Sequence, residues 1–370
     1  MRRPDRFSDG KAINGLAEEI RRQAAGLKEG LTIMEVCGSH THAIARAGLR
    51  HLLPENIRLI SGPGCPVCVT PVDWLDRAIA LSERGDIILS TFGDLMRVPS
   101  SRKTLEEIRS EGAPVEILYS PRDALNLARK NPETKIVFLA VGFETTAPTI
   151  AAAILEAETE DIENLLILPG NKTMPEPMRL IAGDPEIQVD AFLLPGHVSV
   201  ITGSEAFEFL AEDFGLPGIV AGFAPTDVLR AILEIVSQRL RGEAKIVNAY
   251  GRVVTSQGNP AARKIIQQAF RPSAARWRGL GEIPASGLDL RPELAHRNAA
   301  LLEVELPEPI EPPGCRCGEV LKGVIDPPEC PLFATDCTPE RPVGACMVSS
   351  EGSCAAWYRH WRRRSLEPGQ

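Results

Sequence analysis

The stretch that decides the fold is Leu31-Thr32-Ile33-Met34-Glu35-Val36-Cys37-Gly38-Ser39-His40-Thr41-His42. The mostly apolar residues up to Val36 predict a buried strand, and the polar turn after them predicts a helix that begins near Ser39 or Thr41. A buried strand that leads directly into a helix is typical of α/β proteins with parallel sheets. The turn falls at the carboxyl end of its strand, where such sheets bind their ligands.

The same alternation of strand and helix continues to about residue 250. Strands are predicted at Leu31–Val36, Ile57–Ile60, Asp86–Leu89, Val115–Tyr119, Lys135–Val141, Asn164–Leu168, Asp190–Leu194, Gly218–Ala221 and Lys245–Ala249. Amphipathic helices are predicted at Pro71–Arg84, Ser120–Lys130, Pro148–Glu158, Gly203–Asp213 and Thr226–Arg241. Alternation of this kind indicates βαβ units and mostly parallel sheets.

A short internal repeat suggests two related domains. The segment 63–70 aligns without gaps on 195–202, and each segment follows an apolar strand. We therefore predict two related βαβ domains, at 31–118 and 119–270. From about Arg271 strand patterns stop and Pro, Gly and Cys dominate, which predicts a loop-rich domain at 271–370 that a metal organises. A helix over about Asp9–Lys28, within the N-terminal segment 1–30, is expected to pack on that C-terminal domain.

Composition and charge exclude several classes of protein. The 370-residue chain has a formal net charge of −8, and its one long basic run, at 359–364, reads as a solvated tail. Residues Met1–Arg6 are charged and lack the apolar core of a signal peptide. No apolar run approaches the roughly 18 residues that a membrane-spanning helix needs. The sequence therefore predicts a cytoplasmic protein that binds neither nucleic acid nor membranes.

The chain has nine cysteines. An odd count in a reducing compartment favours metal ligation, redox cycling or nucleophilic thiolates over structural disulfides. Cys37 lies in the polar turn described above. A helix N-terminus and nearby imidazoles such as that of His40 lower a thiol pKa, so we expect Cys37 to be a thiolate that binds metal or attacks.

Cys65 and Cys68 form a CxxC pair in Gly62-Pro63-Gly64-Cys65-Pro66-Val67-Cys68. The spacing is expected at a helix start, where the pair can close a disulfide or chelate a metal.

A further turn, Gly142-Phe143-Glu144-Thr145-Thr146-Ala147-Pro148, opens the next predicted helix. Its amides and hydroxyls suit an anion, although ordinary helix capping explains them as well.

Six cysteines crowd the C-terminal part of the chain. Four thiolates complete either a cubane iron–sulfur cluster or a zinc tetrahedron, so two are left over. A cluster beside a dithiol is a sensible electron-transfer unit, and structural zinc is the alternative. The six are Cys315, Cys317, Cys330, Cys337, Cys346 and Cys354.

Together these motifs resemble the HypD family of hydrogenase maturation proteins, and the ordered set spans about residues 10 to 360. No single motif is decisive, but the combination is specific. The matching segments are 34–41, 62–68, 91–99, 141–148, 194–198 and 347–354.

The resemblance implies a scaffold that assembles iron carrying cyanide and carbon monoxide for nickel–iron hydrogenases. It implies a small chaperone partner, HypC, with the iron held between the N-terminal cysteine of HypC and Cys37, and a partner, HypE, that delivers cyanide. It also implies two related α/β domains and a third domain with a [4Fe–4S] cluster. The family spacing C-x14-C-x6-C-x16-C selects Cys315, Cys330, Cys337 and Cys354 as cluster ligands.

Cys317 and Cys346 would then be a second dithiol, although Cys317 and Cys315 could exchange roles. In this hypothesis Cys65 and Cys68 supply two electrons for cyanide transfer, and the cluster restores them through that second dithiol. His40 tunes the Cys37 thiolate or relays a proton. His197 and Glu351 could contact a partner or help the site. We expect a monomer when no partner is bound.

Two other classes of function remain open at this point. A thiol–disulfide oxidoreductase that uses cluster electrons explains the CxxC pair and the cluster but leaves the turn around Cys37 unexplained. A zinc-stabilised interaction scaffold without redox chemistry is the second.

Overall fold

The computed structural model describes residues 9–365, with side chains described to residue 360. The expectations for Met1–Arg6 and for the basic run beyond residue 360 lie outside these residues. Eleven strands are described: β1 Leu31–Glu35, β2 Ile57–Ser61, β3 Ile87–Phe92, β4 Val115–Leu118, β5 Lys135–Gly142, β6 Leu165–Asn171, β7 Ala191–Pro195, β8 Gly218–Ala221, β9 Ile246–Asn248, β10 Phe270–Trp277 and β11 Gly281–Leu290.

The helices cover the connections and the C-terminal part of the chain. They are α1 Gly10–Ala24, α2 Gly38–Ala47, α3 Val72–Ser82, α4 Leu105–Ser110, α5 Pro121–Lys130, α6 Ala147–Thr159, α7 Pro175–Gly183, α8 Gly196–Thr202, α9 Phe209–Phe214, α10 Pro225–Arg241, α11 Pro260–Ala269, α12 Cys317–Leu321 and α13 Ser353–Ser365. Short 3-10 helices lie at Leu49–Leu52, Gly93–Arg97, Glu205–Phe207, Pro292–Arg297, Ala299–Leu301, Pro327–Glu329 and Ala345–Met347.

The strands form two parallel sheets and one antiparallel hairpin. The first sheet has the order β2-β1-β7-β8-β9, the second β4-β3-β5-β6, and β10 pairs with β11. The prediction of an α/β fold with mostly parallel sheets is confirmed, and each of the nine predicted strands is present. The expectation that strand patterns stop at Arg271 is wrong, because the polar, half-exposed β10–β11 hairpin lacks the apolar signature of a buried strand.

The division of the chain between the sheets differs from the predicted boundaries. The first sheet takes β1 and β2 from 31–118 but β7, β8 and β9 from 119–270, while the second sheet crosses residue 118. The cause is the pairing of β7 beside β1, with Ile33 opposite Ala191. The two repeated segments therefore follow β2 and β7 in one sheet, where they flank β1, rather than occupying separate domains.

The N-terminal helix also packs differently from the expectation. Its apolar face, with Ile20 and Ala24, shares a buried cluster with Ile232 and Val236 of α10. The hydroxyl of Ser237 donates a 2.7 Å hydrogen bond to the Gln23 side chain. Because α10 offers a complementary apolar stripe, α1 covers the first sheet and not the C-terminal domain.

The C-terminal part of the chain lies against the first sheet. Helix α13 packs on α2, and the rings of His42 and His360 lie 5.5 Å apart. Both CxxC cysteines and five of the six C-terminal cysteines belong to one buried cluster, which also contains Met34 and Ile60, and Cys315 packs against it. Among the residues that the structure describes, every helix is too short or too polar to cross a bilayer.

Candidate thiol and metal site

Cys37 occupies the turn between β1 and α2, in an extended conformation at the N-cap of the helix. Since β2 and β7 flank β1, the turns that follow these two strands lie on either side of it. The Gly38 amide donates a 2.8 Å hydrogen bond to the Gly64 carbonyl of the CxxC turn. The fold therefore brings the two N-terminal thiol motifs into direct backbone contact.

The Cys37 thiol is buried, with 7% of the residue exposed. Burial raises its pKa to about 12, and the negative charges of Glu351 and Glu35 act in the same direction. The amides of His40 and Ser39 at the helix start oppose this shift but are outweighed. The expectation of a lowered pKa is therefore wrong: the free thiol is protonated at neutral pH, and a bound cation would have to displace the proton.

His40 lies beneath the turn and is completely buried. Its Nε2 donates a 3.1 Å hydrogen bond to the Gly222 carbonyl, and its ring packs on Phe223 with centroids 4.7 Å apart. Its Nδ1 is buried without a hydrogen-bond partner among the described residues. Burial lowers the His40 pKa to about 4, so the imidazole is neutral at physiological pH.

Ser39, His197 and Glu351 meet beside Cys37. The Ser39 hydroxyl donates a 2.6 Å hydrogen bond to Glu351 Oε1 and lies 3.4 Å from His197 Nδ1. The His197 ring stacks on Phe223 at 4.0 Å, and partial burial lowers its pKa. His197 and Glu351, whose roles the sequence left open, therefore both lie in this site.

Glu35 is a candidate that the sequence analysis missed. It is completely buried, and burial raises its pKa to about 7. The Thr41 hydroxyl donates a 2.6 Å hydrogen bond to Glu35 Oε1, and the Cys37 amide donates one of 3.4 Å to Oε2. The available signal was a single carboxylate inside the apolar run Leu31–Val36.

Cys65 and Cys68 form a disulfide in the structure. The pair lies in a turn and not at a helix start, because α3 begins only at Val72. The expected placement of the pair at a helix start is therefore wrong, and no helix dipole acts on Cys65 from α3. Both residues are buried, with 3% and 0% exposed.

The six C-terminal cysteines gather around one small cavity, and five of them are buried while Cys315 is partly exposed. The sulfurs of Cys317 and Cys346 lie 2.8 Å apart. Hydrogen bonds from Cys315 and then Cys346, together with the Arg278 cation, hold the pKa of Cys317 well below its usual range. The same hydrogen bonds to Cys317 raise the pKa of Cys315 and of Cys346, because these two thiols keep their protons.

The donor set suits an iron–sulfur cluster. Thiols are the ligands that such clusters use, and the rest of the cavity lining is apolar, including Val320, Phe333 and Met347. The Val343 amide points at Cys337 Sγ over 3.3 Å, as amides that stabilise thiolate ligands do. A side chain at Gly344 would come within 2.5 Å of the Cys315 sulfur, so glycine keeps that thiol accessible to the cavity.

Arg278 connects this cavity to the CxxC turn. Its backbone amide donates a 3.0 Å hydrogen bond to the Val69 carbonyl, and its Nε donates one of 2.9 Å to the Thr70 carbonyl. The side chain is buried and is attracted to Cys317. The proximity of the C-terminal domain to the first sheet, which the predicted electron relay requires, is thus present.

The protein is thus of the α/β class and rich in thiols. It combines a buried thiol at the carboxyl end of a parallel strand, a CxxC disulfide and six cysteines around one cavity. The family profile described as "Hydrogenase formation hypA family" (HypD) matches residues 11–361. The chain is 42% identical to the hydrogenase maturation factor HypD of Escherichia coli K12 over 99% of its own length and 100% of that protein.

Two further relatives, from a bacterium and an archaeon, match the chain over similar lengths. The hydrogenase maturation factor HypD of Rhodobacter capsulatus is 42% identical over 99% of the chain and 100% of that protein. A putative hydrogenase expression/formation protein of Methanocaldococcus jannaschii is 44% identical, with 95% of each chain covered. The chain therefore belongs to the HypD family of hydrogenase maturation factors.

Proposed function

We propose that this protein is the scaffold on which the iron of a nickel–iron hydrogenase receives its cyanide and carbon monoxide ligands. The small chaperone HypC binds it, and the finished Fe(CN)2(CO) unit then passes to the large subunit of the hydrogenase. The observation that carries this proposal is the position of Cys37 at the start of α2, where the CxxC turn and Glu351 both approach the neighbouring Gly38.

Cys37 would hold the iron substrate through its thiolate, and the N-terminal cysteine of HypC would supply a second thiolate. Low-spin iron with strong-field ligands favours such soft donors. The raised pKa of Cys37 helps selectivity, because the thiol binds only a cation strong enough to displace its proton. Neutral His40 packs beneath the turn and keeps it in position.

Cyanide arrives from HypE as a thiocyanate on a cysteine. Breaking its carbon–sulfur bond to leave cyanide on iron and a thiolate on HypE takes two electrons. Cys65 and Cys68 supply them in the reduced form: both thiols lose their protons and the pair closes to the disulfide that the structure contains. Each transfer thus converts one dithiol into one disulfide.

The dithiol Cys317/Cys346 is suited to reopening that disulfide by thiol–disulfide exchange. The Cys317 thiolate attacks one sulfur of the Cys65–Cys68 disulfide and forms a mixed disulfide with it. Cys346 then attacks the Cys317 sulfur of this mixed disulfide and releases the remaining thiolate of the CxxC pair. Two protons pass to Cys65 and Cys68, and Cys317 and Cys346 become the disulfide. Cys346 and the Arg278 cation, which both stabilise the Cys317 thiolate, favour Cys317 as the attacking thiol.

Cys315, Cys330, Cys337 and Cys354 would hold a [4Fe–4S] cluster, which supplies single electrons when bound. In this assignment Cys317 and Cys346 stay free for exchange, in accord with their 2.8 Å contact. The protein would act in the cytoplasm, as a monomer until HypC and HypE bind, and without nucleic acid.

The test is anaerobic co-purification with HypC, followed by infrared spectroscopy of the complex. Wild-type protein should show the bands of iron-bound cyanide and carbon monoxide. Cys37→Ala and the isosteric Cys37→Ser should lose these bands while they keep the visible absorption of an iron–sulfur cluster. Undiminished bands in either variant would refute the role of Cys37. A protein that contains zinc and lacks visible absorption would refute the redox part of the proposal.

A further inference from the structure

A second cavity, of about 410 Å³, lies apart from the thiols. It is bounded by the first turns of α3, the carboxyl end of β6 and the β10–β11 hairpin. Parallel sheets bind ligands beyond the carboxyl ends of their strands, and β6 is an edge strand of the second sheet. The position of the cavity is therefore that of a ligand site.

Three cations and two carboxylates line this cavity. The cations are Lys172, Arg77 and Arg276, and the carboxylates are Asp73 and Asp289. Asp289 forms an ion pair with an arginine of the hairpin, and Asp73 lies 3.4 Å from Arg276. The carboxylates are thus already engaged, which leaves the cavity with an excess of positive charge around Lys172.

Lys172 is the unusual member of this set. Only 5% of the residue is exposed, and its ammonium lies 5.6 Å from the centre of the Trp277 ring. Among the described residues, its ammonium forms neither an ion pair nor a hydrogen bond. Burial lowers its pKa to about 8, and the more distant Asp73 only partly compensates. The side chain is therefore buried up to its ammonium, which borders the cavity without an anion beside it.

Asn171, the neighbour of Lys172, is also unsatisfied. It ends β6 and is 2% exposed, and neither its side-chain oxygen nor its nitrogen has a hydrogen-bond partner among the described residues. Buried polar groups are nearly always hydrogen-bonded in native proteins, so a buried amide with both polar atoms unpaired next to a cavity indicates a missing ligand.

Asn171 and Lys172 also adjoin the turn at 142–148, which the sequence marks as suited to anions. The Lys172 amide donates a 2.9 Å hydrogen bond to the Gly142 carbonyl, at the start of that turn. Within the turn, Thr146 is the N-cap of α6 but makes no side-chain capping bond, and Glu144 is buried. The buried carboxylate makes the turn itself a poor anion site, whereas the lysine one strand away provides the charge that an anion needs.

We propose that this cavity binds a small organic oxyanion, a carboxylate or a phosphate ester, with its charged end at Lys172 and the Asn171 amide. The volume accommodates a metabolite-sized molecule and not merely an ion. The proposal is independent of the maturation role, because no cysteine is among the described lining residues.

The test is a titration of the full-length protein with inorganic phosphate and, separately, with succinate. Trp74 lines the cavity and Trp277 lies under Lys172, so tryptophan fluorescence reports occupancy directly. A saturable change with phosphate alone identifies a phosphate ester, and one with succinate alone identifies a carboxylate. Saturation by both, in competition, supports a general oxyanion site.

Lys172→Met should weaken binding at least about tenfold, because a charge-assisted hydrogen bond is lost. Lys130→Met, at the exposed end of α5, should bind as wild type does. Methionine fills the lysine site without a buried charge, so Lys172→Met should fold at least as stably as wild type. Asn171→Ala provides a second variant with the same expected loss. Absence of saturable binding by either anion, or equal affinity in Lys172→Met and wild type, would overturn the proposal.

Discussion

A Cβ atom placed on Gly64 would lie 2.2 Å from the backbone nitrogen of Cys37. The CxxC turn and the turn that contains Cys37 are therefore in backbone contact, and a hydrogen bond of 2.8 Å from the Gly38 amide to the Gly64 carbonyl joins them. Only a residue without a side chain permits this approach. The proximity of the two thiol motifs thus depends on one glycine.

Replacing Gly64 by alanine should separate these two turns. The new methyl group meets backbone atoms and not the end of a flexible side chain, so the strand ends must move. We expect a loss of about 1–3 kcal/mol in the free energy of unfolding, measured by denaturant titration. Gly85→Ala is the matched control, since a Cβ there meets no atom within 4 Å. Equal stability of both variants would contradict the tight contact.

Much of the fold could be predicted because strand patterning is local. Each of the nine apolar runs carries its own signal, and each is a strand in the structure. The order of strands within a sheet is set by long-range pairing, such as that of β1 with β7, which leaves no trace in a local pattern. The hairpin β10–β11 was missed because its many exposed residues give it no local apolar pattern.

The candidate site was predictable in its members but not in its electrostatics. Cysteine spacing and the polar turns identified the thiols, and the structure gathers them. The state of Cys37 was misjudged because the benefit of a helix N-terminus is visible in sequence, while the depth of burial and the approach of Glu351 are not. Glu35 was missed since a lone carboxylate in a strand normally indicates an exposed position.

Glu35 should make stability depend on pH. Burial raises its pKa from 4.5 to about 7, so the folded chain binds the proton more tightly than the unfolded chain. Its contribution is fully present below about pH 4.5 and is lost as pH rises through 7, by about 3 kcal/mol in total. Glu35→Gln should flatten this part of the stability profile, measured by thermal unfolding between these pH values.

A control for this effect is Glu133→Gln, which changes an exposed carboxylate. The buried Glu144, whose pKa burial also raises to about 7, adds a dependence of the same sign. Wild type should therefore show the full slope, Glu35→Gln should keep part of it, and only Glu35→Gln combined with Glu144→Gln should lose most of it. An unchanged slope in the double variant would show that these carboxyls are not buried as described.

The raised pKa of Cys37 predicts slow alkylation. The thiolate fraction of a thiol with a pKa of about 12 rises about tenfold per pH unit across the neutral range, and the rate of iodoacetamide modification should follow it. Peptide mapping by mass spectrometry isolates Cys37 from the other cysteines. Glu351→Gln removes a repelling charge and should speed the reaction severalfold, whereas Glu303→Gln, at an exposed position, should not. Fast, pH-independent modification would mean that the thiol is a thiolate after all.

Cys317 and Cys346 should be required for reduction of the Cys65–Cys68 disulfide. That disulfide is buried, so an external reductant has little direct access to it, while the Cys317–Cys346 pair shares the same core. In anaerobic wild-type protein treated with dithionite, maleimide labelling should find Cys65 and Cys68 reduced. Cys317→Ser and Cys346→Ser should leave them oxidised, and dithiothreitol added after unfolding should reduce them in all proteins. If the serine variants are reduced as fast as wild type, the electrons reach the CxxC turn by another route and the exchange step between the two dithiols is wrong.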